Sequence, residues 1–172
     1  PNITWQMYNL PTQAYWQSIC WAPQIRRFCV VAQRTAANAI SEDGITWRSH
    51  SLPTNLDWSN VCWSPELQLF CAVGYASNKA ATSPDGITWT ERSLPPNEIG
   101  VTICWSPEFE MFCCINSSMR KVLTSTDGIK WQSTILSIEG NDGYAPVCWA
   151  PELQKFCAIA YNGSTVILGT PE

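Results

Sequence analysis

The chain has 172 residues, 45% of them hydrophobic and only 14% charged, with a formal net charge of −4. That size supports one domain with a real core. The acidic balance leaves no basic footprint for nucleic acid, no apolar run approaches the roughly 20 residues of a bilayer span, and no basic segment leads into an apolar one as in a secretory signal.

Ten tryptophans and twelve prolines point to broad packed surfaces interrupted by many turns, and the tryptophans reveal the organisation. Trp5, Trp47, Trp89 and Trp131 recur at intervals of 42 residues, each followed five residues later by Leu10, Leu52, Leu94 or Leu136. The pairs Cys20-Trp21, Cys62-Trp63, Cys104-Trp105 and Cys148-Trp149 are spaced 42, 42 and 44. Phe28-Cys29, Phe70-Cys71, Phe112-Cys113 and Phe156-Cys157 keep the same spacing, the last repeat carrying two extra residues within 138–143. The chain is therefore read as one domain over residues 1–172, with repeats starting near each spaced tryptophan.

Within a repeat the elements follow in a fixed order. A first strand of the Val61-Cys62-Trp63 type ends at Ser64-Pro65-Glu66, and Leu69–Val73 forms the second. A third leads into Ser83-Pro84-Asp85-Gly86, and Ile87–Thr90 is expected as the fourth. Pro and Asp-Gly supply the turns, the strand runs are β-branched and aromatic, and no segment sustains a 3.6-residue period. Four strands per repeat of about 42 residues predict an all-β fold, a β-propeller of four four-stranded blades. The runs are apolar without strict alternation, as expected where both faces of each sheet pack on neighbours. Asn2-Ile3-Thr4-Trp5 repeats the close of a unit, Gly86-Ile87-Thr88-Trp89. The opening residues are thus expected to supply the outer strand of the last blade and close a ring, removing its free edge. Two chains forming one eight-bladed ring is the alternative.

Three segments, Ser41–Trp47, Ser83–Trp89 and Ser125–Trp131, share the form Ser-x-Asp-Gly-x-x-Trp. They resemble the Asp-box, or BNR, repeat of sialidase-like propellers, one residue shorter between the Asp and the Gly. They are also similar to propeller repeats of bacterial and phage proteins without an assigned role. The resemblance implies a structural part for Asp43, Gly44, Trp47, Asp85, Gly86, Trp89, Asp127, Gly128 and Trp131, away from any active site. The chemistry agrees: Asp accepts hydrogen bonds from turn amides, Gly permits positive φ, and Trp covers the hairpin.

No catalytic constellation is apparent. Sialidase-like hydrolysis needs an arginine cluster and a Tyr–Glu pair, whereas the six arginines do not recur at matching positions. The only histidine, His50, is expected on an outer strand facing solvent. Glu66, Glu108 and Glu152 recur after proline in a turn, where exposed acids are expected, and acids related by the repeat would point apart instead of flanking one glycosidic bond. The expectation is a protein that is not an enzyme and carries no cofactor and no metal. Nine cysteines lack any Cys-x-x-Cys spacing for zinc. Cys62 falls opposite Cys71, with the same pairing in the other repeats. Free thiols packed as small hydrophobes are favoured over strained cross-strand disulfides, and imply folding in a reducing compartment, cytoplasmic or virion-associated, rather than secretion.

The functional signal is sought where the repeat breaks down. Loops joining strand four to the next strand one, and strand two to strand three, emerge on the same end of the fold. They carry Trp16, Trp58 and Tyr144 at equivalent positions, with Asn55, Asn97 and Asn141 nearby and Tyr75 and Tyr161 alongside. Aromatic rings beside side-chain amides are a means of holding sugars; the competing reading is that the tryptophans cap the core. The expected role is a non-catalytic recognition propeller, lectin- or adhesin-like, with a protein-binding or virion scaffold as the alternative and a glycoside hydrolase as the third reading. The partner would be a glycan or a protein, without nucleic acid or membrane insertion, and the molecule a monomer or homodimer.

Overall fold

The computed structural model describes residues 2–116, 121–136, 144–160 and 164–170. They form an all-β, antiparallel structure with the architecture of a β-propeller. The first repeat contributes β1 (Tyr15–Ala22), β2 (Arg27–Gln33) and β3 (Thr35–Ser41). Next comes β4 (Arg48–Ser64), and the second repeat continues with β5 (Leu69–Tyr75), β6 (Lys79–Ser83) and β7 (Thr90–Ser93). The third holds β8 (Thr102–Ser106), β9 (Met111–Asn116), β10 (Lys121–Ser125) and β11 (Gln132–Ile135). The fourth holds β12 (Tyr144–Ala150), β13 (Lys155–Ala160) and β14 (Val166–Gly169). Among the described residues no helix is long and apolar enough to cross a membrane.

The 17-residue β4 serves two sheets. Its first part pairs with β3 (Asn38 opposite His50) and its last part with β5 (Cys62 opposite Cys71). The stretch expected as a loop between the first two repeats is therefore extended chain, which joins β1 to β7 in one seven-stranded sheet.

Each repeat has two apolar faces. The front face of the second, with Val61, Trp63, Phe70, Ala72 and Ala81, packs on the rear face of the first, with Cys29 and Val31. The third repeat's Ile103, Trp105 and Phe112 pack in the same way on Cys71 and Val73. Val147, Phe156 and Ala158 of the fourth pack on Cys113 and Ile115. Full burial of one such side chain stabilises by about 1.5–3 kcal/mol. The junctions also share a polar bond. Trp63 Nε1 donates to Gln24 Oε1 (2.7 Å), Trp105 Nε1 to Glu66 Oε2 (2.6 Å) and Trp149 Nε1 to Glu108 Oε2 (2.5 Å). Of the glutamates that recur after proline in the turn, Glu66 and Glu108 are acceptors for the tryptophan of the following repeat.

The three Asp-Gly hairpins are near-identical. Asp43 Oδ1 accepts from the backbone N–H of Ile45 (2.8 Å) and Thr46 (2.7 Å), Asp85 from Ile87 and Thr88, and Asp127 from Ile129 and Lys130. These amides are therefore unavailable to a ladder. The fourth strand begins after the tryptophan, at Arg48, Thr90 and Gln132, and not at Ile87 as the sequence suggested. Trp47, Trp89 and Trp131 each donate Nε1–H to the carbonyl of the hairpin glycine.

One expectation is corrected. The opening residues do not complete the fourth repeat: residues 2–10 form no strand, Trp5 is 88% exposed, and Ile3 and Met7 are exposed with it. Among the described residues the sheet of the fourth repeat has three strands. The front face of the first repeat and the rear face of the fourth are both open to solvent, so the four repeats do not meet end to end within the chain.

The hairpins bear first on stability and second on its pH dependence. Gly44 and Gly86 share a left-handed φ (75° and 72°), which costs an L-residue about 1–2 kcal/mol. An added Cβ at Gly86 would also lie 3.1 Å from Ile40 of the preceding repeat, whereas at Gly44 it meets only Phe28 at 3.5 Å. Denaturant melts should show Gly86→Ala more destabilising than Gly44→Ala by about 1 kcal/mol, the overpacking component. The second concerns pH. The Thr46 and Ile45 amides hold the Asp43 carboxyl at about 2. Asp127 is lowered by the amide of Lys130, against burial, and Asp85 is lowered by its amides despite burial acting the other way. Because the folded values lie below the ordinary value near 3.9, this stabilisation is complete above about pH 5 and fades as pH falls through 2. The urea midpoint should drop over that window, and drop less in the triple variant Asp43→Asn, Asp85→Asn, Asp127→Asn.

Candidate functional site

The end of the fold that carries the strand-one and strand-three approaches holds a groove of about 730 Å³ on the first repeat. Its lining includes Tyr15, Arg34, Ala37, Ser49, His50 and Asn55. Its origin is legible in the repeat. At the positions of Ala37 and Ser49, the second repeat has Lys79 and Glu91, which form an ion pair at 2.5 Å with Thr54 Oγ1 also donating to Glu91. The Lys79 hydrogen bond, with that of Thr54, lowers the Glu91 carboxyl. In the third repeat Lys121 pairs with Glu98, which also accepts from Asn116 and Ser133. The first repeat has neither charge, and the space the ion pair would occupy stays open.

The rim is held in place by β4. Arg34 has a left-handed φ of 60°, and its backbone N–H donates to Asp57 Oδ1 at 2.9 Å. The N–H of Ala36 donates to Asn55 Oδ1 at 2.9 Å. The Arg34 guanidinium stands 5.0 Å from the centroid of the exposed Tyr15 ring, a cation–π contact. His50 is half-buried and not solvent-facing as expected, and its Nε2 is buried with no hydrogen-bond partner among the described residues. The groove thus joins an aromatic ring, one cation, an imidazole, hydroxyls and an amide that has its Nδ2 free of the Ala36 bond.

The residues singled out from the sequence fare differently. Trp58 is fully buried and donates Nε1–H to the Thr54 carbonyl at 3.0 Å. Its assignment to a ligand surface is corrected, because β4 turns that ring into the junction between repeats. Trp16 is half-buried and makes the same bond to Thr12 at 3.3 Å. Tyr75 and Asn97 are exposed, at ends of the second and third repeats. Asn55 is a loop anchor with one edge on the groove. Tyr144 lies on β12 with its side chain outside the described residues, and Asn141 and Tyr161 lie outside them altogether. Tyr15, Ala37 and Ser49 were missed. The signal that finds them is the loss of charge at two in-register positions of one repeat.

The cysteine pairs face one another across strands, Cys20 opposite Cys29 and Cys62 opposite Cys71. All nine are free. Burial pushes the Cys29 thiol up to about 12 and raises Cys20, Cys62 and Cys71 as well, so these thiols are packing groups. Among the described residues no three His, Cys, Asp or Glu side chains are grouped to hold a metal.

No family model matches the chain, and no curated protein matches it. Solved structures do. A virginiamycin B lyase from Staphylococcus aureus is similar with a TM-score of 0.71 and 13% identity over 94% of this chain and 57% of that one. A streptogramin B lyase gives 0.72 and 12% over 95% and 57%. A chain of a nidogen–laminin complex gives 0.70 and 11% over 89% and 58%. The chain thus spans under two thirds of the length of these structures, and at such identities the likeness carries the propeller fold alone. The expectation of a non-enzyme is corrected by the lyases: this architecture supports catalysis as well as binding, and the missing sialidase constellation excludes one chemistry only.

Asn55→Ala removes the acceptor for the Ala36 amide. Thermal or urea unfolding should register a loss of about 1 kcal/mol, the worth of one such hydrogen bond.

Proposed function

We propose that the chain is a recognition propeller whose groove on the first repeat binds carbohydrate. The observation that carries this reading is the exposed Tyr15 ring set beside uncharged hydroxyl and amide groups, at the one of these three repeats where an ion pair gives way to open space. A sugar offers apolar C–H faces to such a ring and hydroxyls to Asn55, Ser49 and His50. Arg34 favours sugars bearing a carboxylate or other acidic substituent. The rim anchored by Asp57 and Asn55 is organised before the ligand arrives, which reduces the ordering cost of binding. Tyr75 and Asn97 extend the same end of the molecule and serve as secondary contacts, and several weak contacts on one face gain by avidity.

A glycan array followed by calorimetry on the best hit tests this. Tyr15→Ala should weaken binding about tenfold, equivalent to roughly 1.4 kcal/mol. The double variant Ala37→Lys, Ser49→Glu should abolish binding without lowering the melting temperature, since it rebuilds the ion pair of the second repeat in the groove. An array without a hit, or full binding by both variants, removes the proposal.

A further inference from the structure

The two open end faces are the same two surfaces that every internal junction buries. Ile19 on the front face of the first repeat is 57% exposed, while its equivalents Val61, Ile103 and Val147 are 3–8% exposed. Trp21 is 40% exposed against 7% and 8% for Trp63 and Trp105. On the rear face of the fourth repeat Leu168 is 61% exposed where Ile40 and Thr82 are buried, and Ile159 is exposed where Val31 and Val73 are buried. The tryptophan-to-turn bond is left open at both ends in the same way. Among the described residues neither Trp21 Nε1 nor the Glu152 carboxylate has a hydrogen-bond partner, though their equivalents pair at all three internal junctions.

A third feature specifies what covers them. β4 shows how the chain leaves the fourth strand of one sheet and becomes the first strand of the next. Residues 6–22 are the same stretch 42 positions earlier. Tyr15–Ala22 is folded as a first strand, yet residues 2–10 have no sheet to join. The fourth repeat offers the complement, a three-stranded sheet with β14 at its edge.

We infer that a second copy of this chain docks head to tail, its fourth repeat packing on the first repeat of its neighbour. The junction reproduces the internal ones. Trp21 of one copy donates to Glu152 of the other, and Ile19 covers Ile159 and Leu168. Residues 6–9 add to the partner's β14 as its fourth strand, with Gln6 opposite Leu168 and Tyr8 opposite Val166, following the register of Arg48 with Ile40 and His50 with Asn38. One internal bond is not reproduced. Ser18, Asn60 and Thr102 each accept from a backbone N–H of the following repeat, and the fourth repeat has Pro146 there. Such a contact joins unlike surfaces, so it makes a ring when the rotation closes. This chain covers only 57–58% of the similar structures, so four repeats fall short of their length. The strand addition also covers the bare edge of β14.

Light scattering or sedimentation of the 172-residue chain should give twice 19.2 kDa. Ile19→Asp and Leu168→Asp alter exposed residues and should fold with the wild-type circular dichroism spectrum, each as a monomer. Mixed together they should recover a pair, because one good front face and one good rear face remain between them. The exposed Cys148 thiol lies on the rear face, so it should react rapidly in either variant and slowly in the wild type. A wild-type mass of one chain, an open ladder of larger species, dimers that survive both substitutions, or a mixture that stays monomeric would each overturn the inference.

Discussion

Each sheet in this protein is apolar on both sides, and neither side is satisfied until another sheet lies on it. That constraint governs the rest. A two-faced sheet cannot be the outer layer of a sandwich, so the repeats stack face against face, front on rear, with a tryptophan of one reaching the turn of the one before. The bond from Trp63 to Gln24, Trp105 to Glu66 and Trp149 to Glu108 fixes the offset between sheets that hydrophobic contact alone would leave loose. The Asp-Gly hairpins belong to the same junctions. The Asn38 amide donates to the Gly86 carbonyl and the Arg27 guanidinium to that of Asp85, each across the boundary between the first two repeats.

The candidate site is a consequence of regularity broken once. Where Lys79 and Glu91 fill the outer corner of the second repeat, Ala37 and Ser49 leave the first one hollow. The walls keep their shape because the residues that brace them, Asp57 and Asn55, come from the strand that continues into the next sheet and is locked there by packing. Rigidity at the groove is thus borrowed from the junction behind it. The aromatic ring and the single guanidinium stand at the rim, where a ligand meets them first.

The repeat period, the strand order, the two turn types and the facing cysteine pairs were all readable from spacing, since each depends on local geometry that 42-residue recurrence exposes. Trp58 shows where that reading stops. Its position between two strands placed it in a loop, but the loop does not exist: β4 runs through, and the ring turns inward. His50 stands opposite Asn38, which reaches into the next repeat, and it is half-buried. Side-chain direction at these places depends on which sheet claims the backbone, and spacing along the chain does not report that.

Sequence by itself determined that this is an all-β array of near-identical sheets with apolar faces on both sides, because period, turn residues and strand composition are properties of single repeats. Tertiary structure decided whether the array meets its own beginning. The opening residues carry the pattern of an outer strand, yet a strand forms only where an edge lies within hydrogen-bonding reach. Here residues 2–10 form no strand, and among the described residues β14 pairs with β13 alone. Whether an edge comes within reach is set by how each sheet twists and packs on its neighbour, a sum over many contacts that no local motif encodes.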